Sequence, residues 1–204
     1  IIGFLYQYNT QEVQSTMEKE ENLAFPILDF PSEACLWATA ADSIPIFVSD
    51  STYVAVHTVS RDAEPSLTDL EAVLGARLLV PEVWRDILPK AGLLIPSALS
   101  GGTLQQRLLE ASEAAPGRCW LVLERVQMRF PLPCPSGCGE KIPREELDKL
   151  LQTGSSFYSP ELCCRYCYDL PAGIVLYDTE KTWEEKIKLA QSAGFSGALV
   201  PSEG

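Results

Sequence analysis

Four cysteines carry the most chemistry in their spacing. They read Cys134-Pro-Ser-Gly-Cys138 and, after 25 intervening residues, Cys164-Arg-Tyr-Cys167. Two close thiol pairs beside turn-forming residues can present four thiolates to one tetrahedral Zn2+ ion. In the first pair, prolines stiffen the approach and Gly137 and Gly139 let backbone amides turn toward sulfur. In the second, Cys163 competes with Cys164 for the place beside Cys167. The two-residue spacing favours Cys164, which leaves Cys163 as a small apolar residue. The expected ligands are therefore Cys134, Cys138, Cys164 and Cys167, with Zn2+ as the cofactor. Four thiolates fill a zinc shell and leave no position for a substrate. The site is thus expected to be structural, and the chain is expected not to be an enzyme and to take no small-molecule substrate. His57, the only histidine, lies far upstream in a β-rich stretch and reads as a core or surface residue. The adjacent pairs Glu20/Glu21, Glu145/Glu146 and Glu184/Glu185 read as solvated charge, since neighbours on a helix point in different directions.

The elements that would position these thiols follow from patterning. Cys119 to Leu123 is apolar throughout, and Val126, Met128 and Phe130 then alternate with Arg125, Gln127 and Arg129, so a strand leads into the first knuckle. Residues 143–151 predict a short helix, Ser155 to Tyr158 an extended return, and Gly173 to Tyr177 a strand leaving the second knuckle. Trp183 to Ala193 predicts a helix capped near Thr182 and stopped by Gly194, and Ala198 to Val200 a last strand.

The remainder is mixed. Ile2 to Tyr8 predicts a strand and Thr10 to Glu21 an exposed helix. Ala34 to Ala40, Ile44 to Ser49 and Thr52 to Ser60 predict strands, the last two joined as a hairpin at Asp50-Ser51. Ser66 is expected to cap a helix running to Leu74, with Gly75 as its stop. Pro81 is expected to open a helix carrying Val83, Trp84, Ile87 and Leu88. Thr103 with Gln106 is a capping box for a helix to Ala114. Gly101-Gly102 before that cap reads as a loop rather than a phosphate cradle, because no P-loop lysine follows. A domain boundary is placed near residue 117. The expected fold is α+β: a mixed region, residues 1–117, packed on a small β-rich module, residues 118–204, stabilised by the four-cysteine zinc site.

In that order and in those residues, the tail resembles the C-terminal OB domain of the large subunit of replication protein A. The matching elements are Trp120 to Phe130 entering, the Cys-Pro knuckle followed by Glu140-Lys141-Ile142, the Cys164/Cys167 knuckle, and Gly173 to Tyr177 leaving. The resemblance implies an OB barrel with a zinc ribbon and contact with single-stranded nucleic acid in genome maintenance. The phosphate candidates are then Arg125, Arg129, Arg144 and Arg165, and the stacking candidates Phe157, Tyr158 and Tyr166.

Composition constrains the partners. The chain has 204 residues and a net charge of −12. Residues 1–60 hold Lys19 against eight acids, a local charge of −7, so tight sequence-independent binding to phosphate backbones is disfavoured outside the tail. No apolar run is long enough to span a membrane. Seven cysteines, five of them within 34 residues, suit a reducing compartment, and an intracellular, nuclear location is expected. A start without Met suggests a fragment of a longer protein. The expected function is a non-catalytic zinc scaffold with a protein partner, the alternative being a ubiquitin-pathway adaptor that uses the zinc only for structure.

Overall fold

The computed structural model describes residues 3–7, 24–30, 53–99, 101–134, 137–169 and 173–200, the first two stretches as backbone only. Two sheets account for its strands. Gly3–Gln7 (β1), Ala24–Phe30 (β2), Tyr53–Val56 (β3), Leu78–Pro81 (β4), Gly92–Pro96 (β5), Cys119–Val122 (β6) and Gly197–Val200 (β12) pair in parallel and close a barrel in the order β1-β12-β6-β5-β4-β3-β2. Between β6 and β12 the chain inserts an antiparallel sheet. Its strands are Gln127–Pro131 (β7), Glu140–Lys141 (β8), Ser156–Ser159 (β9), Cys164–Asp169 (β10) and Gly173–Tyr177 (β11), in the order β8-β7-β11-β10-β9. Helices Glu64–Leu74 (α1), Leu104–Ala114 (α2) and Glu180–Ser192 (α4) accompany the barrel, and Arg144–Thr153 (α3) covers the insertion.

Strands buried on both faces read as short continuous apolar runs, and so do β3, β4, β5 and β6. Alternate residues separate into two cores. Val54, Val56, Leu78, Val80, Leu93, Ile95, Cys119 and Leu121 point outward into the layer with α1, α2 and α4. Ala55, Leu79, Leu94, Trp120 and Leu199 point inward, with Tyr53 and Val122 packed against them. The interior is filled rather than hollow: the Tyr53 and Trp120 rings lie 4.9 Å apart. Gly92 makes room for that indole. A Cβ at this position would sit 2.5 Å from Leu79 Cδ2 and 2.9 Å from Trp120. Gly92→Ala is therefore expected to cost about 1–3 kcal/mol through overpacking. Thermal unfolding checks this, and an unchanged midpoint would show that the interior yields.

The OB-like module with a zinc ribbon is not what forms. The apolar run at Cys119 pairs in parallel with β5 and β12, so it closes a β/α barrel instead of opening a small antiparallel one. Strands on both sides of residue 117 share that barrel. Pro81 ends β4 and is followed by a single 3-10 turn at Glu82–Trp84 instead of opening a longer helix. Trp84 is still buried, and its indole N–H donates to the Thr58 carbonyl at 2.7 Å. The first helix starts at Glu64 with no side-chain cap from Ser66, while Gly75 stops it as expected. Thr103 does cap α2, its hydroxyl accepting from Gln106 N at 3.2 Å. On α4 the cap moves to Thr179, which forms a reciprocal box with Thr182. The predicted helix at 10–21, the strands at 34–40 and 44–49, and the turn at 50–51 lie outside the described residues.

Candidate functional site

In a parallel barrel, strand ends and the loops after them gather at the C-terminal mouth, where ligands of such folds are bound. Register decides which residues stand there. Asp29 on β2 is in register with Ala55, an interior residue, and Gln7 on β1 with Ile27, which in turn aligns with the interior Tyr53. The alternation that puts Ala55 inside and Val56 outside brings His57 next on the inner side. Leu123 belongs to the outer core, so Glu124 follows Val122 on the inner side too. Polar positions Gln7, Asp29, His57 and Glu124 therefore succeed an apolar interior at the mouth.

One of these placements, that of Glu124, is fixed by hydrogen bonds. Glu124 Oε2 accepts from the Ala98 amide at 3.0 Å, and the Glu124 amide donates to Ser97 Oγ at 3.1 Å, tying the ends of β5 and β6 together. Ser97 is buried while Glu124 is exposed, which leaves the carboxylate available at the rim. Glu82, at the end of β4, is engaged by the guanidinium of Arg107.

The insertion leaves from this same end of β6, so the second sheet rises beside the mouth. One of its faces packs under α3 through Ile142, Leu147, Cys167, Val175 and Tyr177. The opposite face follows from the register: Phe157 opposite Tyr166, Tyr166 opposite Leu176, Tyr168 opposite Ile174, Leu176 opposite Met128, and Ile174 opposite Phe130. None of these seven side chains carries a formal charge, and the one cation in register with them is Lys141, opposite Met128 on the short edge strand β8. Phe157 stacks on Tyr166 with centroids 5.4 Å apart, and Tyr168 meets them edge-on at 5.9 and 6.0 Å. Phe157 is 42% and Tyr168 51% exposed, so the cluster faces outward.

The four cysteines do not converge. Cys134 and Cys138 lie in the β7–β8 loop, at the end of the sheet where Pro131, Gly173 and Asp169 align. Cys164 is five residues from Asp169 along β10, roughly 17 Å at strand rise. Cys167, buried under α3, is on the opposite face of β10 from Cys164, because an odd spacing in a strand reverses direction. Among the described residues no group of three His, Cys, Asp or Glu side chains could hold a metal ion. Cys163 joins the outer barrel core at φ 49°. Burial pushes the Cys119 and Cys164 thiols up to about 11.

Nor do the arginines and aromatics assemble a nucleic-acid groove. Arg125 lies over the Trp183 ring at 5.2 Å. Arg129 is held by Asp169, Glu140 and Glu146, Arg144 pairs with Asp148 at 3.1 Å, and Arg165 donates to Ser156 Oγ at 2.7 Å. Phe157 and Tyr166 do meet, on the face away from α3, whereas Tyr158 is on the other parity, beside Cys163 and Glu185. Tyr168, the third member of the cluster, was legible only as the i+2 partner of Tyr166 in a strand. The mouth residues left a fainter trace, a polar residue breaking an inward apolar series at a strand end.

Known structures share this fold. The chain is similar to a chitinase of Chromobacterium violaceum, with 13% identity, TM-score 0.56, and 88% of this chain and 74% of that one covered. It is similar to a GH18 chitinase of Cycas revoluta in complex with (GlcNAc)3, at 10% identity, TM-score 0.53, and coverage of 86% and 75%. A chitinase-like agglutinin of Robinia pseudoacacia matches at 10% identity and TM-score 0.54, again covering 86% and 75%. The fold is that of a chitinase-like barrel. No family model and no curated protein sequence matches the chain.

This overturns the zinc scaffold, and with it the OB-like nucleic-acid module and the ubiquitin-pathway adaptor, since each required a ribbon or small β module that the barrel replaces. The expectation that the chain is not an enzyme falls too. It rested on a filled cysteine shell, and the fold is instead one shared with glycoside hydrolases. No helix among the described residues is long and apolar enough to cross a membrane.

Proposed function

We propose that the chain binds a neutral oligosaccharide at the barrel mouth and along the aromatic face of the inserted sheet, and cleaves a glycosidic bond there. The observation that carries this reading is the uncharged cluster of Phe157, Tyr166 and Tyr168 on a sheet rooted at the C-terminal end of β6. Sugar rings present polarised C–H faces that pack on the negative face of an aromatic ring, and an uncharged platform on a strongly acidic chain suits an uncharged ligand. The chitinase-like neighbours support an N-acetylglucosamine oligomer as the first ligand to try.

For cleavage, a carboxylic acid must protonate the leaving oxygen. Glu124 is the exposed carboxylate whose position is fixed at the rim, and Asp29 is the acid at an interior register position across the mouth. In glycosidases the second carboxylate is the nucleophile or base, unless the substrate supplies that group itself. Glu124 is accordingly the general acid in this reading.

Calorimetry with the N-acetylglucosamine tetramer, together with an assay for new reducing ends, tests both halves. Removal of each ring is expected to cost about 0.5–1.5 kcal/mol of binding, so the variant carrying F157A, Y166A and Y168A should bind at least tenfold more weakly. Glu124→Gln should lower turnover by about 10²–10⁴-fold while binding is retained. No heat with the tetramer or with a glucan at millimolar concentration would end the binding reading. Full turnover by Glu124→Gln would remove Glu124 from the chemistry.

A further inference from the structure

A pair of thiols stands apart from the mouth and the aromatic face, in the loop between β7 and β8. Gly137 takes φ 66°, and its amide donates to the Cys134 carbonyl at 3.1 Å, so the loop turns back on itself. The Cys134 Sγ lies 3.5 Å from the carbonyl oxygen of Cys138. Cys134 is partly exposed and Cys138 exposed, whereas Cys119, Cys163, Cys164 and Cys167 are buried. The Cys134 sulfur thus lies against the backbone of Cys138, and a disulfide needs the two Cα atoms roughly 4.4–6.8 Å apart.

We propose that Cys134 and Cys138 are a redox-active dithiol that closes to an intramolecular disulfide by exchange with a small-molecule disulfide such as oxidised glutathione. One protein thiolate attacks a glutathione sulfur, breaking that S–S bond and releasing one glutathione. The second thiolate then attacks the protein sulfur of the mixed disulfide and expels the other glutathione. Two protein thiols lose two electrons in all, and their two protons leave with the two glutathione thiols formed. The ring closed spans only residues 134–138, so it restrains the unfolded chain little. Such a bond exchanges with the glutathione pool instead of acting as a permanent staple. Its structural consequence is local. Gly139, next after Cys138, packs so closely on the Phe130 ring that a Cβ there would lie 2.9 Å from it. The closed loop would hold that contact at the edge of the inserted sheet. The inference does not depend on the oligosaccharide reading.

The test equilibrates the folded, full chain in buffers of graded reduced-to-oxidised glutathione ratio. An acid quench, alkylation and peptide mass mapping follow. Expected is one transition in which the 134–138 peptide loses two hydrogens and its alkylation, while Cys119, Cys163, Cys164 and Cys167 stay reduced. In Cys134→Ser, Cys138 should instead accumulate as the glutathione mixed disulfide, since its resolving thiol is gone. A 134–138 peptide that remains dithiol in oxidised glutathione alone, or Cys138 linked to a different cysteine, would overturn the proposal. So would equal mixed-disulfide accumulation in the wild-type chain and the variant.

Discussion

Lys186→Met should destabilise the protein by about 3–5 kcal/mol, one of the largest effects of any single substitution outside the mouth. Lys186 and Asp178 form an ion pair at 2.8 Å in which both side chains are 1% exposed. Asp178 is otherwise well served: Thr182 Oγ1 donates to its Oδ1 at 2.9 Å and the Val126 amide to its Oδ2 at 3.1 Å. Removing the ammonium leaves those two donors to hold a buried carboxylate that has lost its counter-charge. The cost is that stranded charge, not the strength of the pair itself. Removing both charges, in K186M with D178N, should therefore cost less than the sum of the two single changes. Urea unfolding followed by tryptophan fluorescence measures all three variants. A loss below about 1 kcal/mol for Lys186→Met would mean that water reaches Asp178 and the pair is screened.

The location of the pair gives it a second readout. Asp178 leads from β11 into α4, and its partner Val126 leads from β6 into β7, so one carboxylate joins both chain passages between barrel and insertion. Cys164 feels the same charges: burial raises its thiol most, Asp178 raises it further, and Lys186 opposes them. With Lys186 replaced by Met, the Cys164 thiolate should become still less accessible. Its alkylation at pH 8 in the folded protein should slow, while Cys138 reacts as before.

What the sequence disclosed of this architecture, and what it hid, have separate physical causes. The capping Thr103 of α2, the alternation of β7 and the apolar run of β11 are local signals, and all three elements form close to where those signals place them. The barrel is a long-range object. Its strands β3, β4, β6 and β12 are four residues each, too short to distinguish a buried parallel strand from a buried helical turn. Its closure depends on β12 pairing with β1 and with β6, partners from which the insertion or the whole chain separates it. Nothing in a local window reports such pairings. The cysteines mislead for a related reason. A two-residue spacing brings two sulfurs to one metal when the chain turns between them, but Cys164 to Cys167 lies within a six-residue strand that sends them to opposite faces. Around Cys134 and Cys138 the turn chemistry is present and brings the Cys134 sulfur to the Cys138 carbonyl. For the site, Phe157 and Tyr166 were legible as aromatics able to stack on a ligand, though not as neighbours on one sheet. Asp29, His57 and Glu124 acquire meaning only once the barrel assigns an inside to them.

Arg129→Met should cost about 2–3 kcal/mol, and the loss should fall on the insertion more than on the barrel. A single guanidinium on β7 joins three carboxylates from three other elements. Its Nε donates to Asp169 of β10 at 2.6 Å, its Nη1 to Glu140 of β8 at 3.2 Å, and its Nη2 to Glu146 of α3. These hydrogen bonds to carboxylates, that of Glu146 foremost, hold the guanidinium more firmly protonated than usual against the opposing effect of burial. Arg129 and Asp169 are each only 18% exposed, while Glu140 is 67% exposed. The Asp169 contact should therefore dominate, with the Glu140 contact nearly silent. The planar fork matters as well as the charge. Arg129→Lys restores one cation without three divergent donors and should recover less than half of the loss. Removing Asp169 alongside, in R129M with D169N, should recover part of it by eliminating the stranded acid. Hydrogen exchange resolves where the stability goes. Amides of β7, β10 and α3 should open at lower free energy in Arg129→Met, while those of β4 and β5 stay at the wild-type level. Equal loosening in β4 and β5 would mean that the insertion and the barrel unfold as one cooperative unit, and that the guanidinium holds the whole molecule together.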